Sequence, residues 1–232
     1  MTNILSYTIM SSDVKIIIKI KSDKNFKNKG TGANTNNKIL EYKSSDGKIY
    51  TKEQYDSILK WAITPWKNGL TYKKIKKVDR EIAKRKEKEW GNNLINMTNN
   101  GNWTTRVGEG ITHDVLIDKG EIPRRPQNLC CYNPDWETDK YIYEVKTSNW
   151  TISGTAGEKV LGTMYKYSDI PKLYKKPLKI ICIAYQEYEL TNCNTKIFGK
   201  ISENKKKFLD LAKSMDIEYI KFSDFIKEDY TH

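Results

Sequence analysis

The chain has 232 residues, with 41 Lys and Arg against 29 Asp and Glu and a formal net charge of +12, a length that suits one core or one core plus a small accessory domain. No apolar run is long enough to cross a bilayer, and MTNILSYTIMSSDVK lacks the basic start and small-residue cleavage site of a signal peptide, so a soluble, intracellular, cytoplasmic protein is expected. Cys130, Cys131, Cys182 and Cys193 form no CxxC pair, which argues against a zinc site or a disulfide framework and leaves reduced thiols.

The charge is unevenly spread. Residues 1–102 carry 21 Lys and Arg against 10 Asp and Glu, whereas residues 103–232 carry 20 against 19. A basic region gains free energy by displacing counterions from a polyanion, so nucleic acid is the leading partner. A Lys- and Asn-rich coding bias is the bland alternative. The expected division is a basic N-terminal region, 1–102, and a second domain, 103–232.

In chain order, VKIIIKI (14–20) predicts a strand, and the Gly- and Asn-rich stretch 21–37 predicts a loop. Thr51 and Gln54 form a capping box for a helix with Tyr55, Ile58, Leu59 and Ala62 on one face, ended by Pro65. A second helix is expected from about Thr71 to Trp90, with Ile75, Val78 and Ile82 inward and a dense set of Lys and Arg around them. That basic face suits a docking element or a merely solvated surface. Asn92 to Asn102 reads as the boundary.

Val107, Ile111 and Val115 at i, i+4 and i+8 predict a helix over 105–118 despite Gly108 and Gly110. GEIPRRP gives a connection or an edge strand, because Pro123 and Pro126 exclude a central one. PDWET and YIYEVKT follow as a strand, a turn and a strand. A helix over about 157–167 and the apolar strand PLKIICIAY then make a βαβ unit. A short strand at 196–198, a helix over 203–214 capped by Ser202, and the strand IEYIKF complete a mixed α/β sheet flanked by helices.

Asp135 opens the first strand of the hairpin and Glu144 lies in the next, so a tight turn brings the two carboxylates to one end. Alternation along the strand puts Glu144 and Lys146 on the same side and Val145 on the other. Two acids and an ammonium are suited to phosphodiester hydrolysis, which needs charge neutralisation and an activated water that a hard cation such as Mg2+ supplies.

Pro134-Asp135 followed by Glu144-Val145-Lys146 resembles the PD-(D/E)XK, or restriction-endonuclease-like, nuclease superfamily over roughly residues 103–200. The resemblance implies that Asp135 and Glu144 bind Mg2+, that the Val145 carbonyl is a further ligand, and that Lys146 orients or deprotonates the attacking water. It also implies an acid on the preceding helix, for which Glu109 is the candidate. Asp114 is a rival first acid, disfavoured by its helical surroundings, and His113 has no partner histidines nearby. Arg124, Arg125, Asn149, Thr155, Lys159 and Lys166 are candidate contacts to DNA.

The resulting expectation is a type II restriction endonuclease acting on double-stranded DNA as a homodimer. The alternatives are a repair, recombination or transposon-associated nuclease of the same superfamily, and a non-catalytic DNA-binding protein.

Overall fold

The computed structural model describes residues 5–11, 14–20, 47–65, 77–95, 103–152 and 156–227. The chain forms two compact units, Met1–Ile49 and Tyr50–His232. In the first, β1 (Leu5–Ser11) pairs antiparallel with β2 (Val14–Ile20), which is the strand expected from VKIIIKI; β1 was not expected.

The second unit begins with α1 (Lys52–Ile63). Thr51 and Gln54 close the expected capping box, and the helix stops before Pro65, which has no N–H to donate. Helix α2 (Lys77–Leu94) and helix α3 (Trp103–Asp118) follow; residues 71–76, where the second helix was expected to start, lie outside the described residues. Trp61, Trp90 and Trp103 join the three helices, with ring centroids 5.5 to 6.0 Å apart. Helices α1 and α2 therefore belong to the same compact unit as the sheet. The compact units divide at 49/50, and the tryptophan cluster packs α1, α2 and α3 together within the second.

The sheet has the order β3 (Trp136–Glu137), β4 (Ile142–Ser148), β5 (Leu178–Ala184), β6 (Ile217–Lys221). β3 and β4 are antiparallel, and β4, β5 and β6 are parallel, so the sheet is mixed and helices flank it. Pro123 and Pro126 restrict the GEIPRRP segment to a single bridge, Arg124 to Glu137. The crossover from β4 to β5 contains α4 (Ala156–Lys166) and a short α5 (Ile170–Tyr174). Ile142, Val160, Met164, Ile180, Cys182 and Leu190 pack beneath α4 as the main core.

The apolar run after Pro177 continues through Tyr185, yet the strand stops at Ala184. There a left-handed φ of 58° turns the chain directly into α6 (Tyr185–Asn192), a helix that was not expected. The expected strand at 196–198 is absent: Ile197 and Phe198 both donate their amides to the Leu190 carbonyl at the end of α6, which leaves no edge to pair. Helix α7 (Glu203–Ser214), capped by Ser202, and α8 (Phe222–Phe225) close the fold. Among the described residues no helix is long and apolar enough to cross a membrane. All four cysteines are free thiols.

Candidate active site

Strand alternation decides the layout of the site. On β4, Ile142, Glu144 and Lys146 point to the α4 side, while Tyr143, Val145 and Thr147 point to the α3 side. Gly108 is what lets α3 lie so close to that second face, because a Cβ there would overlap the Thr147 hydroxyl. Gly110 does the same for the Tyr50 ring, whose hydroxyl donates to the carbonyls of Arg106 and Val107. Both glycines cost helix propensity and allow close approach in return.

Asp135 stands in the turn before β3 and is stitched to β4 twice. Its amide donates to the Tyr143 carbonyl at 3.0 Å, and its Oδ2 accepts from the Val145 amide at 2.6 Å. Glu144 is buried, with its Oε1 bonded to the Lys146 ammonium and its Oε2 accepting no hydrogen bond. Burial, then the charges of Glu144 and Glu109, push the Asp135 carboxyl up to about 8, against the pull of the Val145 amide and Lys146. Burial also raises Glu144, and Lys146 opposes it.

Glu109 reaches the site from the other face of the sheet. Its carboxylate is held by Arg125 at 2.6 Å, and the Arg125 guanidinium also donates to the Asp135 carbonyl at 2.8 Å. Among the described residues no three His, Cys, Asp or Glu stand close enough together to hold a metal ion. Asp135 and Glu144 are therefore a pair, with Glu109 acting on Asp135 through its charge. Two carboxylates suit Mg2+, which keeps several waters and takes only one or two protein acids beside substrate phosphates. The orphaned Glu144 Oε2 fits the same conclusion, since an unpaired buried carboxylate oxygen is otherwise costly by about 1–3 kcal/mol or more.

Lys166 and Tyr167, at the end of α4, also come to Glu144. Lys166 donates to the Tyr167 hydroxyl at 3.1 Å and its charge favours ionised Glu144, as does the Tyr167 hydroxyl, while burial, then the charges of Glu144 and Asp135 and the hydrogen bond to Glu144 raise Tyr167. Tyr167 was not among the expected site residues, because a lone tyrosine after a helix carries no sequence signal.

The remaining candidates are dispersed. Arg124 is committed to Asp139 at 2.9 Å and Glu137 at 3.1 Å, and Lys176 shares Glu137. Asn149 donates to Thr151 at 3.2 Å, Lys159 is exposed on α4, and Thr155 lies outside the described residues. The Glu189 carboxyl carbon lies 3.0 Å from where a Gly157 Cβ would stand, placing an acid against the start of α4, close in sequence to the candidate DNA contacts Thr155 and Lys159. Asp114 is fully buried, accepting from the Tyr50 amide at 2.9 Å and paired with His113, whose ring packs on Trp136. Both are thus built into the packing of α3.

Glu87 was also missed. This fully buried carboxylate on α2 accepts from the Trp61 indole, the Trp150 amide, and the amide and hydroxyl of Thr151, at 2.6 to 3.0 Å. It fastens α2 to the chain as it leaves β4. No protein-family model, curated protein or solved structure matches this chain.

Proposed function

We propose that this protein is a Mg2+-dependent endonuclease of the PD-(D/E)XK type, a type II site-specific deoxyribonuclease that hydrolyses double-stranded DNA. The observation that carries the reading is the Asp135 and Glu144 pair. The charge of Glu144 adds to the cost of ionising buried Asp135, the Glu144 Oε2 accepts no hydrogen bond, and a lysine stands on the same strand face. Such an arrangement is unfavourable for folding alone and is what a cation-dependent phosphodiesterase requires.

Asp135 and Glu144 would hold the Mg2+, with the Val145 carbonyl as a further ligand. When bound, the ion would polarise the phosphate and lower the pKa of water. Lys146 Nζ, already on Glu144 Oε1, is placed to orient the attacking water and to offset charge developing on the phosphate. Lys166 adds a second cation on the Glu144 side. The exposed Lys84, Lys86 and Arg85 of α2 provide a sequence-independent grip on the DNA backbone. A homodimer would present two such sites to the two strands.

The test is to incubate the purified protein with plasmid and Mg2+, with an EDTA control, and to sequence the ends. Discrete fragments sharing one short motif support the restriction reading, since each wrong base pair costs roughly 1–3 kcal/mol and such penalties multiply. Cleavage confined to branched or damaged substrates would replace it by a repair nuclease. Binding without cleavage at any Mg2+ concentration would leave a DNA-binding protein.

A further inference from the structure

We propose that Arg125 is a positioning residue of the active site rather than a contact to DNA, an inference that rests on the nuclease reading above. Four contacts bear on it. The guanidinium lies 4.0 Å from the Trp136 ring centroid, as a stacked cation does. One of its nitrogens donates to Glu109 Oε2 at 2.6 Å and another to the Asp135 carbonyl at 2.8 Å. The Trp136 indole in turn donates to the Glu109 carbonyl at 2.9 Å.

These contacts make a closed brace. Helix α3 lies on the opposite side of the sheet from the Glu144 side chain, and Asp135 stands at the sheet edge in the turn before β3. The joint between α3 and that turn runs through Arg125 and Trp136. The planar fork of arginine suits this role, because it can donate in two directions while its face rests on the indole. Its positive charge also offsets Glu109, whose own charge raises the cost of ionised Asp135. Two of the five guanidinium N–H donors and the stacking on Trp136 are committed to this brace, although the side chain remains 43 % exposed, so experiment must separate bracing from a phosphate contact. Its neighbour Arg124 is tied to Glu137 and Asp139 at the far end of the hairpin.

Arg125→Ala and Arg125→Lys separate the two roles. A brace predicts that both lower kcat by roughly 10- to 100-fold, as losing a residue that orients a ligand does. It also predicts that the dissociation constant for duplex DNA in EDTA, and its salt dependence, stay within twofold of the parent. Lysine keeps the charge but cannot span Glu109 and the Asp135 carbonyl from the Trp136 face, so it fails to rescue. Where the alanine variant does not fold by circular dichroism, the lysine variant decides.

A phosphate contact predicts the opposite pattern: the alanine variant loses about one unit of salt slope with kcat retained, and lysine restores binding. That result, or full kcat in Arg125→Lys, overturns the proposal. A parent protein that binds DNA but never cleaves it overturns the nuclease reading instead, and the proposal with it.

Discussion

The Asp135 carboxylate accepts a hydrogen bond from the amide of Val145, the residue between Glu144 and Lys146. The first acid is therefore tied to the backbone of the strand that carries the other two groups. Their spacing depends on one 2.6 Å contact as well as on the hairpin itself.

That enclosure has a cost that varies with pH. In the metal-free folded protein Asp135 keeps its proton up to about pH 8, whereas its ordinary value is 3.8. Between those values the folded state binds more protons than the unfolded one, so stability falls as pH rises through the window and the penalty is complete above it. Asp135→Asn keeps an acceptor for Val145 and removes the charge. In EDTA at pH 8 the variant should melt several degrees above the parent, each kcal/mol appearing as about 2–4 °C for a protein of this size. At pH 5 the difference should shrink. Adding Mg2+ at pH 8 should stabilise the parent alone, and Asp135→Asn should not cleave. Equal differences in Tm at the two pH values would refute the assignment of the penalty to Asp135.

Glu87 should matter to stability although it lies far from the acids in sequence. Removing it strands the Trp61 indole and the Trp150 and Thr151 amides in a buried site. Glu87→Ala should cost at least about 3 kcal/mol, given roughly 1–3 kcal/mol for each buried group left unpaired. Glu87→Gln, which retains one acceptor, should cost less. Thermal unfolding measures both, and an alanine variant within 1 kcal/mol of the parent would show that water satisfies these donors.

The parts that were legible in the sequence are those where local signals agree with tertiary packing. The capping box at Thr51, the period of Val107, Ile111 and Val115, and the alternation through Glu144 and Lys146 each specify an element and a face. Helix α6 was hidden because its first residue, Tyr185, continues the apolar run of β5, and the positive φ of Ala184 separates the two. Glu87 was hidden for a different reason. It stands within KRKEKEW, where a buried acid looks like one more member of a solvated charge run. Arg125 was visible as a basic residue, but its commitment to Glu109 and Trp136 joins segments that are distant in the chain.

Gly108 gives a direct test of how α3 meets the sheet. At a solvent-exposed helix position Gly→Ala would stabilise by up to about 1 kcal/mol. Here the new Cβ would overlap the Thr147 hydroxyl and lie 2.8 Å from the Thr147 Cβ. Gly108→Ala should instead destabilise by about 1–3 kcal/mol, as overpacking does. Thr147→Ala in the same chain should recover part of that loss, and cheaply, because the Thr147 hydroxyl makes no hydrogen bond. A stabilised single variant would mean that α3 stands further from β4.

The last prediction concerns the basic helix. Deleting the N-terminal residues through α2 is not an informative test, because Ile58, Trp61, Ala62 and Ala83 belong to the core and their loss would expose it. Point changes on the exposed face avoid this. Lys84 and Lys86 are exposed on α2, whereas Glu87 on the same helix is wholly buried, so the two lysines can be replaced without touching the packed side. If they meet phosphates, Lys84→Ala/Lys86→Ala should lower the slope of log affinity against log salt by about two, since each lost contact releases roughly one counterion fewer. The loss should be the same for cognate and random duplexes, because phosphate contacts position DNA without reading its bases. At saturating DNA, kcat should be unchanged, as neither lysine has a role in the chemistry. Fluorescence anisotropy across a salt titration measures the slope, and thermal unfolding confirms that the fold is intact. An unaltered slope would make α2 a solvated surface and move the DNA-binding face elsewhere on the protein.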